Sequence, residues 1–245
     1  MGLIDDLNEA IERLYRYKEN VTAIDVISTV FFNTYIGSVL QVIPFIIAVG
    51  IVYWFIRRSW HKKRLGADFK ECRRRGRSNE IVRLLLVCWI AGIITFVVLP
   101  PVLIVGFWSL VLDHTFSYYP LFDFIGYYLH SEIINSLRGG YIGGSWFVTM
   151  LIGNAALFAP LGLALPFVWR RANMLKTVLI GVGCSLVVEL IQPFFGRSFD
   201  FDDIICNTLG TVFGYLLYLL IKKIFPRFTE KCKIPVLDAN KKSLA

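Results

Sequence analysis

Residues 197–221 read RSFDFDDIICNTLGTVFGYLLYLLI, a charged turn followed by an apolar run long enough to cross a lipid bilayer. Similar apolar runs recur along the chain, in which 56% of the residues are hydrophobic. A soluble domain of 245 residues would not carry several runs of this length. Hydropathy therefore predicts an all-α integral membrane protein with five spans, at residues 35–56, 84–107, 146–168, 174–192 and 203–221.

Outside the spans, apolar residues recur at helical spacing in residues 3–18, which predicts an amphipathic N-terminal helix. This helix is expected to lie on the membrane surface or to pack against another subunit. The chain divides into residues 1–30 with this helix, residues 31–83 with the first span and a basic loop, a membrane domain at 84–221 and a basic tail at 222–245. An aromatic loop at 109–145 is expected to rest at the lipid headgroups or to act as a lid.

Positive charge is concentrated in residues 57–83, which hold eleven Lys and Arg against three acidic residues. Basic connections face the cytoplasm, so we predict this loop and the C-terminus inside, and the N-terminus, the 109–145 loop and the 197–203 turn outside. Attraction to anionic lipid headgroups accounts for the basic loop. Nucleic acid is not expected as a partner, because no stacking aromatic residues are interleaved along Arg73–Arg77.

Polar residues cluster near the predicted outer ends of the last three spans. Ionisable groups at membrane depth are costly, so they are candidates for a functional site. We expect them to converge on each other or on a water-filled pocket that binds a ligand. The candidates are Asn154, Glu189, Gln192, Arg197, Asp200, Asp202, Asp203 and Asn207.

These residues also have structural interpretations. One of the three aspartates is expected to cap the N-terminus of the fifth span. Arg197 would then pair with those carboxylates, and Asn154 or Asn207 would join two helices by a hydrogen bond. Gly210 and Gly214 form a G-x-x-x-G step that would let the fifth span approach a neighbouring helix closely.

Metal and cofactor chemistry find little support in the sequence. Two of the three histidines lie in the 109–145 loop without a recognised ligand spacing, so we predict no metal and no cofactor. Motifs of serine hydrolases and zinc peptidases are missing from the sequence. An enzymatic function remains an alternative. In it, Glu189 and Asp203 would act as acid and base, and Arg197 would stabilise developing negative charge.

Three ordered blocks resemble the VanZ-like membrane protein family: Asn154-x-x-x-Phe158-x-Pro160-x-Gly162, Glu189-x-x-Gln192 and Arg197-Ser-Phe-Asp200-x-Asp202-Asp203-x-x-x-Asn207-x-x-Gly210. The resemblance covers residues 84–221. It implies a bacterial plasma-membrane protein of the cell envelope, because the family takes its name from a protein that lowers susceptibility to teicoplanin. Teicoplanin is a glycopeptide antibiotic with a lipid tail, so the implied ligand is amphiphilic.

Three functions are open at this point. The first is a resistance factor whose outward-facing polar pocket engages a lipoglycopeptide or a lipid-linked cell-wall precursor, with Arg197 meeting a phosphate or carboxylate. The second is an enzyme that modifies envelope lipids. The third is a scaffold or transport accessory that binds its partners through the N-terminal helix and the basic loop. Membrane lipids are partners in every case, and the oligomeric state is not predicted.

Overall fold

The structure is a computed structural model that describes residues 3–18, 20–33, 35–98, 101–112, 124, 133 and 145–238. These residues are almost all helical and contain no β-strand, which confirms the all-α prediction. The helices are α1 (Leu3–Tyr17), α2 (Ala23–Asn33), α3 (Tyr35–Leu65), α4 (Phe69–Arg75), α5 (Arg77–Ile93), α6 (Pro101–Leu112), α7 (Ser145–Val168), α8 (Met174–Ile191), α9 (Phe201–Ile224) and α10 (Pro226–Cys232).

Five helical segments among the described residues are long and apolar enough to cross a membrane. They are Gly37–Arg75, Arg77–Val98, Leu151–Val168, Met174–Phe194 and Phe201–Ile224. Each overlaps one of the five predicted spans, so the prediction of a multi-pass membrane protein is confirmed. Large apolar side chains remain exposed along these helices, Phe213 and Leu220 of α9 among them, as expected for surfaces that face lipid.

The basic segment at 57–83 differs from its prediction. The sequence predicts a loop, whereas α3 continues to Leu65, α4 follows, and α5 begins at Arg77. The 31 residues of α3 extend about 46 Å, compared with about 30 Å of hydrocarbon in a bilayer. Lys and Arg favour helix, so α3 persists beyond its apolar part until Gly66, whose φ of 51° suits a left-handed backbone.

The second predicted span, 84–107, overlaps two described helices. α5 ends in a π-helical turn at Ile94–Val98, and α6 begins separately at Pro101. Pro100 and Pro101 carry no amide hydrogen and cannot donate to the carbonyl groups four residues before them. The prolines thus interrupt the helical hydrogen-bond pattern at this point, and the described part of the span is Arg77–Val98. Most of the aromatic loop at 109–145 lies outside the described residues, although residues 109–112 belong to α6.

The N-terminal residues contain the predicted amphipathic helix as α1, followed by a capped start of α2. Thr22 Oγ1 accepts a hydrogen bond from the Asp25 backbone amide at 3.3 Å, and Asp25 Oδ2 accepts one from the Thr22 amide at 2.9 Å. This reciprocal pair is a capping box with Asp in its second position. The Lys18 ammonium and the Thr22 hydroxyl also donate to the Asp25 carboxylate, and they hold its pKa well below its ordinary value.

The chain forms two compact units, each assembled from three segments. The first unit contains Met1–Phe45, Gly92–Gly153 and Val188–Asp202, and the second contains Ile46–Ala91, Asn154–Val187 and Asp203–Ala245. In the first unit, Trp108 Nε1 donates to the Gln41 carbonyl at 3.1 Å, and the ring of Phe45 packs edge-on against Phe107. The four-part division of the chain stays a prediction.

In the second unit, α7 and α9 meet through glycines. A Cβ atom on Gly210 would lie 2.0 Å from the carbonyl oxygen of Ala155, and one on Gly214 would lie 2.0 Å from that of Ala159. Gly162 of α7 faces the α9 backbone at the same short distance. The two backbones are therefore in direct contact, which confirms the prediction for the G-x-x-x-G step.

The C-terminal residues of the second unit are folded against the beginning of α5. Asn79, which is fully buried, donates its Nδ2 to the Cys232 carbonyl at 2.6 Å. Val236 is also fully buried, and a Cβ on Gly76 would lie 2.7 Å from its Cα atom. Burial raises the pKa of the Cys232 thiol. The predicted basic tail thus begins with a packed segment that extends to Asp238.

Candidate functional site

The first unit contains two backbone carbonyl groups that the chain's own prolines leave without helical donors. In a continuous α-helix, the amides of Pro100 and Pro101 would donate to the carbonyls of Phe96 and Val97, but proline has no amide hydrogen. Arg197 supplies donors instead: its Nη1 lies 3.3 Å from the Phe96 oxygen and 2.6 Å from the Val97 oxygen.

Gln192 provides a second side-chain donor to the carbonyl groups at the end of α5. Its Nε2 lies 3.2 Å from the Val97 carbonyl oxygen, and its side chain is buried. An unpaired carbonyl away from water is costly, especially within a membrane, so these donors stabilise the end of α5. Sequence reasoning did not identify this role, although the Pro100-Pro101 pair was the signal that could have revealed it.

Glu189 lies in the last turn of α8 and is 1% exposed. After α8 the chain reverses through a 3₁₀ turn at Gln192–Phe194 and through Gly196, whose φ of 73° requires a left-handed backbone. The reversal brings the backbone amide of Asp200 to Glu189, and this amide donates to Oε2 at 2.9 Å. A buried carboxylate at the end of a membrane span thus orders the turn that follows it.

Asp200 caps α9, as the sequence predicted for one of the three aspartates. Its Oδ1 accepts a hydrogen bond from the Asp202 amide at 2.8 Å. Asp202 itself is 1% exposed, and its Oδ2 accepts from the backbone amide of Ile133 at 3.0 Å. Ile133 belongs to the predicted aromatic loop, so this loop is attached to the start of α9 at that residue. We call the five residues of the first unit the Glu189 cluster: Glu189, Gln192, Arg197, Asp200 and Asp202.

The other three candidates belong to the second unit. Asn154 of α7 donates its Nδ2 to Oδ1 of Asp203 at the start of α9. The prediction that polar residues of different spans contact each other is therefore met for this pair. Asn154 and Asp203 are each half-buried, so their amide and carboxylate groups are partly accessible.

Asn207 joins two helices by a hydrogen bond, which is one of its predicted structural roles. Its Nδ2 donates to the Ser185 hydroxyl of α8 at 2.9 Å. Its Oδ1 is buried and has no hydrogen-bond partner among the described residues. Ser185, which is fully buried, was not a sequence candidate. Its spacing of four residues before Glu189 on α8 was the available signal.

Several candidate side chains contact backbone groups. Arg197 donates to carbonyl oxygens rather than to the predicted aspartates, and Glu189 and Asp202 each accept a hydrogen bond from a backbone amide. Among the residues that the structure describes, no three His, Cys, Asp or Glu side chains are grouped to hold a metal ion. The ligand-binding roles of all eight residues stay predictions.

Comparison with known proteins identifies the family. A family model described as VanZ/LLP1 matches residues 45–222, an extent that also takes in much of α3, beyond the 84–221 resemblance. None of the curated proteins and none of the solved structures matches the chain. Because the match covers most of the chain and contains all eight polar candidates, the protein belongs to the VanZ/LLP1 family.

Proposed function

We propose that this protein lowers the susceptibility of a bacterium to teicoplanin-like lipoglycopeptides. The Glu189 cluster engages the drug, or the lipid-linked cell-wall precursor that the drug also binds. The observation that carries the proposal is Glu189, a buried carboxylate in a membrane span. A glutamine oxygen would accept the same hydrogen bond from the Asp200 amide, so Glu189→Gln keeps this contact and changes the ionisable group. A charged side chain at membrane depth costs on the order of 3 kcal/mol, so ionisable residues there are rare and mark functional sites.

Arg197 supplies the complementary positive charge. Its Nη1 is engaged by the two carbonyl groups at the end of α5, while Nε and Nη2 have no hydrogen-bond partner among the described residues. These two nitrogens form one edge of the guanidinium plane, which matches a carboxylate or phosphate in a bidentate arrangement. The half-buried position of Arg197 supports this use.

The distribution of charge supports an outward orientation of the cluster. The eleven basic residues at 57–83 favour the cytoplasmic side, which leaves the turn at 197–203 on the outer side of a bacterial plasma membrane, where glycopeptides act. Asn154, Asp203 and Asn207 remain proposed ligand residues. The Oδ1 of Asn207 has no hydrogen-bond partner among the residues that the structure describes, so it can accept a hydrogen bond from a ligand, which supports that role.

The test is antibiotic susceptibility of a sensitive Gram-positive host that expresses the chain, Glu189→Gln or Arg197→Ala at matched membrane levels. We expect the unaltered chain to protect against teicoplanin but not against vancomycin, which lacks the lipid tail. Both variants should return teicoplanin susceptibility to that of the host without the protein. The matched controls are Glu230→Gln and Arg171→Ala, which alter exposed residues of the same types and should leave protection intact.

Full protection by both cluster variants would reject this site, and failure of the unaltered chain to protect would reject the resistance function. Lipid profiling of the same strains addresses the alternative of an envelope-lipid enzyme. Under that alternative, expression changes at least one lipid species, and Glu189→Gln abolishes the change.

A further inference from the structure

A pocket of about 210 Å³ lies in the second unit, where the basic parts of α3, α4 and α5 meet. At roughly 30 Å³ per water molecule, this is the volume of about seven waters, which is sufficient for a small anionic group. Arginines dominate its polar lining: Arg57, Arg58, Arg73 and Arg77. A neighbouring pocket of about 410 Å³ shares Arg73 and Arg77. We refer to the first of these as the arginine pocket.

Two of the arginines are held against one aromatic ring. The guanidinium carbon of Arg58 lies 5.1 Å from the centre of the Trp54 ring, and that of Arg73 lies 5.9 Å from it. Stacking on an aromatic face positions a guanidinium while leaving its N–H groups free to donate. Arg58, Arg73 and Arg77 form no ion pair with a carboxylate within the described part of the chain, so no described acidic residue neutralises their positive charges.

The acidic residue of the lining does not offset this charge, because it already has a partner. Glu80 Oε1 accepts a hydrogen bond from Arg57 Nη2 at 2.8 Å, and Oε2 lies 3.4 Å from Arg57 Nε. This bidentate pair connects α3 with α5 and neutralises one arginine with one glutamate. The remaining three arginines therefore give the pocket a net positive charge that attracts an anion.

His61 provides an independent indication of a ligand. It lines the same pocket and is 3% exposed, and its Nε2 is enclosed without a hydrogen-bond partner among the described residues. The nearest carboxylate oxygen, Glu80 Oε1, is 3.9 Å away, which is too long for a hydrogen bond. Buried polar nitrogens are normally paired, so the unpaired Nε2 fits a site in which a ligand oxygen completes its hydrogen bonding.

The remaining lining is apolar. Ile81 and Leu84 of α5 line the pocket beside the arginines, and Ile81 is exposed. Both lie on a helix that spans the membrane, at the end where its apolar part begins. A ligand with an anionic group and a hydrocarbon chain would match this change from basic to apolar surface, whereas a fully hydrophilic anion would use only the arginines.

We propose that the arginine pocket binds a phosphate group, and that an anionic phospholipid supplies it. The phosphate meets Arg58, Arg73 and Arg77, His61 Nε2 donates to it when that nitrogen carries the proton, and the acyl chains follow Ile81 and Leu84. This site is separate in sequence and in chemistry from the Glu189 cluster and does not depend on the proposed resistance function.

The experiment measures the thermal midpoint of unfolding of the purified full chain in detergent with added lipid. Dioleoylphosphatidylglycerol should raise the midpoint, and zwitterionic dioleoylphosphatidylcholine at the same concentration should not. The Arg58→Gln/Arg73→Gln variant should need at least tenfold more phosphatidylglycerol for the same shift. The control, Arg171→Gln/Lys222→Gln, removes two exposed positive charges outside the pocket and should respond like the unaltered chain.

Two further arms make the result decisive. In one arm, inorganic phosphate replaces the lipid. If phosphate raises the midpoint, phosphatidylglycerol does not, and the glutamine double variant loses the response, the phosphate site stands but a lipid is not its source. In the other, Arg58→Lys/Arg73→Lys keeps the charge but loses the planar fork, and an intermediate response supports direct coordination. Equal responses of the glutamine variant and the unaltered chain, with both helical by circular dichroism, overturn the proposal, as does a response to neither anion.

Discussion

The α7–α9 contact and the Glu189 cluster hold the polypeptide together by opposite means. In the α7–α9 contact, glycines remove side chains until two helix backbones touch, and the contact is steric. In the Glu189 cluster, long polar side chains reach backbone groups that a proline pair and a chain reversal leave without partners. Membrane proteins need both solutions, because hydrophobicity does not drive helices together in lipid and unpaired backbone groups are costly there.

The comparison shows where each region tolerates change. At Gly210, a Cβ atom would lie only 2.0 Å from a carbonyl oxygen, so the α7–α9 contact has no space for a single added carbon. The hydrogen-bonded turn instead distributes its stability over several donors. Added volume should therefore affect the first region severely, and removal of one donor should affect the second more moderately. Three predictions test this difference.

The largest effect is expected for Gly210→Ala. The new Cβ would lie 2.0 Å from the Ala155 carbonyl oxygen, so α7 and α9 must separate. We expect the free energy of unfolding to fall by about 3 kcal/mol, the upper part of the range for overpacking. Titration with sodium dodecyl sulfate in mixed micelles measures this change.

Gly183→Ala is the matched control within the same unit. It is also a helical glycine, but nothing lies within 4 Å of its Cβ position. Because alanine favours helix over glycine, this variant should be at least as stable as the unaltered chain. Equal losses of stability in Gly210→Ala and Gly183→Ala would contradict the prediction, because they would show that the close backbone approach at Gly210 is not what makes the substitution costly.

A smaller loss is expected for Arg197→Ala. The variant leaves the Phe96 carbonyl without its Arg197 donor and leaves Val97 only the weaker Gln192 bond. We expect the free energy of unfolding to fall by about 1–3 kcal/mol, and Gln192→Leu alone to cost about 1 kcal/mol. The same titration measures both, with the exposed Arg171→Ala expected within about 0.5 kcal/mol of the unaltered chain. A stable Arg197→Ala would mean that these carbonyl groups do not depend on the guanidinium.

The smallest change in stability is expected for the hydrogen bond between Asn207 and Ser185, which lies in the second unit together with the α7–α9 contact. A double-mutant cycle with Asn207→Leu and Ser185→Ala should give a coupling energy of about 0.6 kcal/mol, the average for interhelical hydrogen bonds in membranes. A coupling energy above about 1.7 kcal/mol would exceed the largest value expected for an interhelical hydrogen bond in a membrane. It would show that the polar contact rivals the glycine contact in this unit.

Several features could be predicted because they depend on local sequence. Five apolar runs give five spans, since the bilayer imposes a minimum length on any helix that crosses it. The G-x-x-x-G step predicts a close helix contact because small residues four apart occupy one face. The cap of α9 follows from aspartates placed just before an apolar run, and Asp200 provides it.

Other features could not be predicted because their partners are distant in the chain. The guanidinium of Arg197 was expected beside neighbouring carboxylates but contacts carbonyl groups about a hundred residues earlier. Ser185 accepts its hydrogen bond from Asn207 only because α8 and α9 pack together, which the sequence of α8 alone does not reveal. The helical structure of 57–83 was missed because charge was interpreted as loop, although Lys and Arg are compatible with helix outside the membrane.

The sequence by itself determined that the protein crosses a membrane as helices, which residues carry charge at membrane depth, and the resemblance to its family. Hydropathy and residue order are properties of the chain and need no tertiary contacts. Only the tertiary structure decided which donor meets which acceptor, how the arginines of α3, α4 and α5 combine into one pocket, and which glycines face a backbone. These depend on helix rotation and packing, which many distant weak interactions set together.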